Sequence, residues 1–541
     1  MGTMRATLIA ATLATVTLGS TLLACSETAS GDPDDAVFVD EGKEDDFFSV
    51  TAREYALRGR TSVTLDASFA GKPEAERKAA AIELIGYKQI AIAWFVTQYL
   101  VDKEEEQGNH DFGGLGGMAK AGAYEDLEVT PRADGLTWDF TFKQLAAGSN
   151  QMMNRLPLRT ENGKRVFDLE IGRPSNEEMQ QLETNAEWYR RAPWGEWNPA
   201  NVPADQKEKI TFEIAPDTAS TDGYLDLERL TSDGVLDMDV YFGWDYHAAY
   251  HLKHSQSLFT WLQGQGFQAP VASWDALTPE SGPFTKTITA DGRDVQVEVR
   301  MYFGKPGTST DPDTAAGGVV LEDLALESLK QRDVIIYSGH SGPFYGFALA
   351  NWNVTTEGDL DDADMRVAQM PADKYQVVLA NGCDTYQIGT AFKENPNKHG
   401  ENVDIITSTS FSNAGTPSTV EDFITSVMPL DGEDRLQPHP VSNMLTALDR
   451  ASYGFDTMYG MHGIDDDPKL VPFAHRDSFG MACTTNAECG GPGNLCVGTS
   501  GHKTCTAACT ETAGCGDGYT CKSVASSSTA TIFGKACAKL P

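Results

Sequence analysis

The sequence predicts an α/β protein whose main domain is a mostly parallel sheet with flanking helices. Three compact apolar runs, at 333–337, 375–380 and 403–407, are typical of parallel strands that are buried on both faces. Segments with the hydrophobic spacing of helices separate the strands of this region, which favours crossover connections. An α+β domain precedes the sheet, and a small cysteine-rich module follows it.

The individual strands and helices follow from their local patterns. In the α+β domain, alternating segments at 61–66 and 137–142 predict strands, and the run 74–101 predicts a long helix. The later region alternates strands at 238–242 and 295–303 with helices at 251–263 and 319–331. The Trp-rich stretch 188–197 predicts aromatic side chains buried under a loop, and a ligand platform is the alternative.

The first 24 residues are typical of a signal peptide. Arg5 precedes an uncharged stretch from Ala6 to Leu23, which ends in Leu22-Leu23-Ala24-Cys25. This end resembles the bacterial lipobox, and the resemblance implies cleavage before Cys25 and lipid on its thiol. A one-pass anchor is the alternative, but a short stretch rich in Ala and Thr is marginal for spanning a bilayer. Ser26 favours the outer membrane of a bacterial envelope as the location.

Composition divides the rest of the chain. Residues 25–47 are acidic and short of large apolar side chains, which predicts a flexible tether. The expected segments that follow are an α+β domain at 48–233, the α/β domain at 234–432, a closing segment at 433–478 and a disulfide-rich module at 479–541. The formal net charge of −36 argues against nucleic acid and anionic membrane surfaces as partners, because both would be repelled.

Cysteine usage predicts both an oxidised module and a free thiol. Eight of the ten cysteines lie near the C-terminus: Cys483, Cys489, Cys496, Cys505, Cys509, Cys515, Cys521 and Cys537. An even, dense set in an exported chain predicts four disulfides. Spacing does not give their connectivity, because eight cysteines allow 105 pairings. With Cys25 assigned to lipid, Cys383 is the one cysteine that remains.

Two glycine-flanked motifs follow two of the apolar strands. One strand runs into Ser338-Gly339-His340-Ser341-Gly342, and another runs into Asn381-Gly382-Cys383-Asp384-Thr385. If these strands are neighbours, His340 and Cys383 meet at one edge, where the imidazole can take the thiol proton. The glycines permit tight turns and leave backbone N–H groups available to an oxyanion.

These motifs resemble those of the caspase-like cysteine peptidases, in which one apolar strand precedes His-Gly and a second precedes a small residue and Cys. The resemblance covers roughly residues 236–430. It implies a cysteine endopeptidase without cofactor that acts on protein or peptide, with Cys383 as nucleophile and His340 as base. It also implies that the N–H groups of Gly342 and Cys383 bind the oxyanion. Ser341 departs from the family pattern, because it stands where the family has Gly.

Asp245 and Ser341 each have two interpretations. By the same resemblance, the end of the first strand contributes to the substrate pocket, so Asp245 would select Arg or Lys; the alternative is a cap on the following helix. Ser341 lies in a segment that begins like the G-x-S-x-G elbow of serine hydrolases, but Pro343 occupies the fifth position.

Three further features compete for a role. His247, His251 and His254 would share one face of a continuous helix and are weak candidates for zinc ligands. The acidic run 359–364 lacks the ligand spacing of an EF-hand, so a solvated loop is expected there. At the level of the whole protein, a non-catalytic binding lipoprotein that keeps this fold is the alternative to a peptidase.

Overall fold

The computed structural model describes residues 47–107, 128–181, 188–195, 197–217, 219–342, 346–398, 401–451, 457–491, 493–499, 501–525 and 532–540. The predicted signal peptide, Cys25 and all but the last residue of the predicted tether lie outside these residues. Residues 45–541 form one compact unit. The boundaries predicted within that unit stay predictions.

The strands are β1 Phe48–Ser49, β2 Ala52–Thr64, β3 Val129–Pro131, β4 Thr137–Ser149, β5 Arg159–Glu161, β6 Lys164–Gly172, β7 Lys207–Pro216, β8 Val235–Phe242, β9 Phe284–Ala290, β10 Arg293–Phe303, β11 Val334–Ser338, β12 Ser341–Gly342, β13 Gly346–Ala348, β14 Asp359–Leu360, β15 Gln376–Asn381, β16 Val403–Ser408, β17 Tyr459–His462, β18 Asn494–Thr499, β19 His502–Ala507, β20 Tyr519–Ala525 and β21 Ile532–Lys539. The α-helices are α1 Glu74–Gln107, α2 Met152–Arg155, α3 Asn176–Met179, α4 Leu227–Leu230, α5 Tyr250–Gly264, α6 Ala315–Gln331, α7 Asp362–Val367, α8 Tyr386–Lys393, α9 Ser418–Val427 and α10 Val441–Ala451.

The large sheet confirms the predicted α/β fold. Its eight strands stand in the order β1-β17-β16-β15-β11-β8-β10-β9. The five strands from β16 to β10 are parallel, and antiparallel strands flank them on both sides. The sheet draws strands from outside 234–432, because β1 comes from the beginning of the described chain and β17 from the segment predicted to close the domain.

Helices cover both faces of the large sheet. In β11, Val334 and Ile336 join a core on one face, which α5, α9 and α10 complete. Ile335 and Tyr337 point to the other face, where α6, α7 and α8 pack. Because β11, β15 and β16 are buried on both faces, their sequences are nearly uninterrupted apolar runs.

The N-terminal region has its own sheet and core. Its six antiparallel strands stand in the order β3-β4-β2-β7-β6-β5, and the long helix α1 packs against them. By length and composition alone, residues 74–100 of α1 would also suffice to cross a membrane, but more than half of the most apolar window is buried against the protein. That environment is typical of a core helix.

The Trp-rich stretch is part of this core. Trp188, Trp194 and Trp197 surround Phe95 of α1, with ring centroids 5.9, 6.1 and 4.8 Å from the Phe95 ring. All four side chains are buried. The observation favours buried aromatics over a ligand platform in this stretch.

The acidic run 359–364 has structural partners. Asp361 accepts the N–H groups of Ala363 and Asp364 at the start of α7, and the Asp364 side chain accepts the N–H of Asp361. Asp362 is buried and pairs with Arg366 at 2.5 Å. The run is therefore a short strand, β14, followed by a helix start, rather than the solvated loop that was expected.

The C-terminal cysteines form four disulfides, as predicted, and their connectivity reveals a tandem repeat. The pairs are Cys483–Cys496, Cys489–Cys505, Cys509–Cys521 and Cys515–Cys537. In each half the first cysteine pairs with the third and the second with the fourth. Each half also places a short 3-10 helix before a two-stranded hairpin. The repeat is hidden in the sequence because the last interval has eight residues in one half and fifteen in the other.

Candidate active site

Three adjacent strands bring the candidate residues to one edge of the large sheet. Strand β15 pairs in parallel with β11, and β11 pairs in parallel with β8. Ser338 lies opposite Asn381, so His340 and Cys383 each follow their strand by two residues. Asp245 follows the end of β8, at Phe242, by three residues. The carboxyl edge of a parallel sheet is where α/β proteins bind ligands.

Glycines allow the three strand ends to approach one another. A Cβ atom added to Gly339 would lie 2.7 Å from the Cα of Gly243, and one added to Gly382 would overlap the Ser341 side chain. Asn381 braces the same edge, since its amide donates to Ser338 Oγ at 2.9 Å and accepts from a Tyr hydroxyl of β17. The glycines predicted for tight turns are thus required for close backbone packing.

His340 is held by Asp245, a contact that the sequence did not predict. The Nε2 atom of His340 lies 2.9 Å from Asp245 Oδ1, and Tyr246 stacks on the ring with centroids 4.6 Å apart. The His340 side chain is 13% exposed. Burial lowers the pKa of His340, and the hydrogen bond to Asp245 partly offsets this effect. The ring is therefore mostly neutral at pH 7 and is able to accept a proton.

The two carboxylate oxygens of Asp245 have different partners. Oδ2 accepts the N–H groups of Ala248 and Tyr250 at 2.8 and 3.1 Å, at the start of α5. Oδ1 faces His340 and also His247, whose Nδ1 lies 3.1 Å away. Burial would raise the pKa of Asp245, but these hydrogen bonds lower it well below its ordinary value. Oδ2 thus holds the turn that leads into α5, where Ala249 is the N-cap and has no side-chain cap, and Oδ1 is committed to histidine.

Cys383 carries a half-buried free thiol. Its Sγ lies 3.8 Å from the carbonyl oxygen and 3.9 Å from the hydroxyl of Ser412, a loop residue that no sequence motif indicated. Burial and the neighbouring Asp384 raise the pKa of the Cys383 thiol to about 11. Among the described residues no hydrogen bond joins this thiol to His340. The thiol is therefore protonated at neutral pH.

A small cleft lies at this edge of the sheet. Asp245, His340 and Ser412 line it, whereas Cys383 is not among its lining residues. The ring of His340 and the residue beside the thiol therefore face the same space. No family model, curated protein or solved structure matches this chain. The geometry of the cleft is therefore the basis for assigning its chemistry.

Asp384, directly after Cys383, was not singled out in the sequence. Its backbone is left-handed, with φ of 51°, and within the described part of the chain its buried Oδ1 has no hydrogen-bond partner. Burial raises the pKa of Asp384 to about 7. The sequence does contain a signal for this buried carboxyl, namely an acidic residue directly after the candidate nucleophile.

The backbone N–H groups predicted to bind an oxyanion differ in their surroundings. No described group accepts a hydrogen bond from the Cys383 N–H. Gly342 lies in the short strand β12, opposite Gly346 of β13. Within the described residues the Cys383 N–H is thus an unpaired donor, and Gly342 belongs to a small separate sheet.

Ser341 links the two motifs. Its hydroxyl donates to the carbonyl oxygen of Cys383 at 2.6 Å, and the side chain is buried. A nucleophilic serine must instead donate its proton to a base. The contact gives a structural reason for Ser341 at this position and disfavours the serine-hydrolase alternative.

The three histidines considered as zinc ligands do not share one helix face. Helix α5 begins at Tyr250, so His247 lies in the exposed turn before it. His251 and His254 are buried, and burial lowers the pKa of each to about 4. The Nδ1 of His251 accepts the backbone N–H of Asp245 at 3.2 Å. His247 approaches Asp245 and His340 instead.

Proposed function

We propose that this protein is a cysteine endopeptidase in which Cys383 is the nucleophile, His340 the general base and Asp245 the residue that orients His340. The pairing of β11 with β15 carries the proposal, because it sets His340 and Cys383 at equivalent positions beyond adjacent parallel strands. A mostly parallel sheet with these two motifs at its edge is what the resemblance to caspase-like peptidases implies.

The protonation states define the order of events. Because the Cys383 thiol and the His340 ring are both neutral, the proton moves from Sγ to the ring as sulfur attacks the scissile carbonyl. Nε2 of His340 is bonded to Asp245, so Nδ1 is the nitrogen left to receive the proton. The Asp245 carboxylate then stabilises the imidazolium that forms.

The remaining steps follow from acyl-transfer chemistry. The Cys383 N–H, joined by the N–H of Gly342, donates to the oxyanion of the tetrahedral intermediate. The His340 imidazolium gives its proton to the leaving amine, which leaves a thioester on Cys383. A water molecule, deprotonated by His340, then hydrolyses the thioester and restores the thiol.

The proposed location is the surface of a bacterial outer membrane, where lipid on Cys25 would anchor the chain. Four disulfides support an oxidising compartment. A flexible tether of about 20 residues would span on the order of 25 Å, so cleavage would take place near the membrane. Protein or peptide chains at that surface are the proposed substrates.

A binding lipoprotein without turnover is the second candidate. The raised pKa of Cys383 and the lack of a described thiol-to-imidazole hydrogen bond are the observations that favour it. In that case the cleft beside Ser412 would hold a peptide without cleaving it.

A peptide-library experiment tests the proposal. The purified chain is incubated with mixed peptides, and new termini are identified by mass spectrometry. We expect cleavage that disappears in Cys383→Ala and in His340→Ala. The matched control is His475→Ala, which alters an exposed histidine in the segment before the disulfide module. Cleavage that survives in Cys383→Ala would refute the assignment, and loss of cleavage in Ser341→Ala with full thiol reactivity of Cys383 would favour the serine alternative.

A further inference from the structure

Two histidines converge on one oxygen of Asp245. His340 Nε2 lies 2.9 Å and His247 Nδ1 lies 3.1 Å from Asp245 Oδ1. These three atoms all lie within 4.8 Å of one another. Two imidazole nitrogens and one carboxylate oxygen form a ligand set that zinc uses at sites with an open fourth position.

Two of the three distances between ligand atoms are close to those of a tetrahedral site. Ligands at 2.0–2.1 Å from a zinc ion are about 3.3 Å apart when the geometry is tetrahedral. The two nitrogen-to-oxygen distances are only slightly shorter than this value. Small outward shifts of the rings would therefore admit an ion.

The surroundings fix the ligands and leave access from solvent. The other oxygen of Asp245 is anchored by the N–H groups of Ala248 and Tyr250, which is the kind of support that orients metal ligands. Tyr246 stacks on the His340 ring, with centroids 4.6 Å apart, and its ring is tilted against that of His247, with centroids 4.0 Å apart. The His247 side chain is 51% exposed, so an ion reaches the cluster without rearrangement of the core.

We infer that Asp245, His247 and His340 form a zinc site whose occupation switches off the thiol chemistry. Zinc is favoured over Ca²⁺ or Mg²⁺ because two ligands are imidazole nitrogens, whereas those ions prefer oxygen ligands. An ion on Nε2 of His340 obliges the neutral ring to carry its single proton on Nδ1. That nitrogen is the proposed acceptor of the Cys383 proton, so the zinc-bound ring cannot act as base. The inhibitory consequence rests on the proposed function, but binding of the ion does not.

Binding is tested in a chain that cannot cleave. The Cys383→Ala protein is stripped with a chelator and titrated calorimetrically with zinc in an excess of Ca²⁺, which occupies surface carboxylates. We expect one tightly bound ion per chain, and an affinity at least about tenfold lower when His247→Ala is added. The matched control is His475→Ala, since His475 is also about half exposed and lies 3.3 Å from a carboxylate, that of Asp291. No tight ion, or equal affinity with and without His247, would overturn the inference.

Inhibition is measured separately in the chain that retains Cys383. For each variant the cleavage rate with zinc is divided by that variant's own zinc-free rate. Zinc is expected to inhibit the unmodified chain reversibly and the His247→Ala chain much less. Zinc binding without any cleavage would leave the site standing and reject the peptidase proposal. Cleavage that zinc inhibits equally in both chains would reject the inhibitory role of this site and leave the peptidase proposal standing.

Discussion

At the scale of single residues, the two carboxylate oxygens of Asp245 have different roles, one structural and one chemical. Oδ2 holds the start of α5, and Oδ1 orients His340. Asn in place of Asp keeps an acceptor for the helix N–H groups but removes the negative charge that favours the imidazolium. We expect Asp245→Asn to lower kcat at least about 100-fold, with a small change in KM.

The Asp245→Asn experiment has an internal control for helix capping. Asp361 also accepts N–H groups at a helix start, that of α7, and Asn is an equally good cap. Steady-state kinetics of Asp361→Asn should match the unmodified chain. A kcat for Asp245→Asn within about twofold of the unmodified value would show that Asp245 only holds the start of α5.

The residue after the nucleophile controls the acidity of the thiol. The negative charge of Asp384 contributes to the raised pKa of Cys383, and burial gives Asp384 itself a pKa of about 7. We expect Asp384→Asn to lower the Cys383 pKa and to increase the rate of iodoacetamide alkylation at pH 8 by up to about tenfold. Mass spectrometry of the Cys383 peptide measures this rate.

The pH dependence of that effect identifies its cause. Asp384 is charged above pH 7 and neutral below it, so the difference between the two proteins should fade as the pH falls through 7. Asp291→Asn serves as the control, because Asp291 lies in the β9–β10 turn, at the opposite edge of the sheet. If Cys383 is alkylated at the same rate in Asp384→Asn as in the unmodified chain at every pH, Asp384 does not act on the thiol.

At the scale of elements, a buried carboxyl joins helix α10 to two strands. Asp449 Oδ1 accepts the N–H of Tyr459 in β17, and Oδ2 accepts the hydroxyl of Thr51, just before β2, each at 2.8 Å. Burial raises the pKa of Asp449 to about 6. A carboxyl whose pKa is raised by folding stabilises the folded state below its unfolded pKa, and this contribution is lost as the pH rises through 6.

Asn, the neutral isostere of Asp, should remove this pH-dependent loss of stability at position 449. Asp449→Asn is expected to raise the free energy of unfolding at pH 8 by on the order of 1–3 kcal/mol, and to have little effect near pH 4. Thermal or urea unfolding at the two pH values measures the difference. Partly exposed Asp431 is the control of opposite sign, because the N–H groups of Arg435 and Glu433 lower its pKa, so Asp431→Asn should destabilise at pH 8. A lower stability of Asp449→Asn at pH 8 would contradict the assignment.

The elements that could be predicted are those whose stability is local or whose burial is complete. The runs of β11, β15 and β16 are apolar on both faces, so their pattern is visible in the sequence. Strands β1 and β17 have two and four residues and are strands only because they pair with each other and with β16. The Asp245–His340 contact joins residues 95 positions apart and depends on β8 lying beside β11, which no local pattern specifies.

At the scale of the whole molecule, the end of the predicted tether is attached close to the candidate site. Phe47 is buried against Tyr386 and His462, with ring centroids 5.4 and 5.0 Å away. Tyr386 begins α8, the helix that follows Cys383, and its hydroxyl donates to Glu54 of β2. The N-terminal region and the strand edge that carries Cys383 are thus packed together around Phe47.

The C-terminal module consists of two covalently closed halves. One half has a small core around Cys483, Cys489 and Cys505, and the other has a core around Leu470 and three further cysteines. No disulfide crosses between the halves, and all eight cysteines are paired in the described part of the chain. Each half should therefore lose its structure separately.

Removal of one disulfide tests this independence. Cys515→Ser with Cys537→Ser opens a closed loop of sequence separation 22, which should cost about 3 kcal/mol. Limited proteolysis is expected to cut within 509–539 and to spare 483–505. The equivalent variant of the first half, Cys489→Ser with Cys505→Ser, should reverse this pattern, because it opens only that half. If the protease cuts both halves equally in either variant, the two halves unfold together. The repeated disulfide connectivity would then not correspond to two independently stable units.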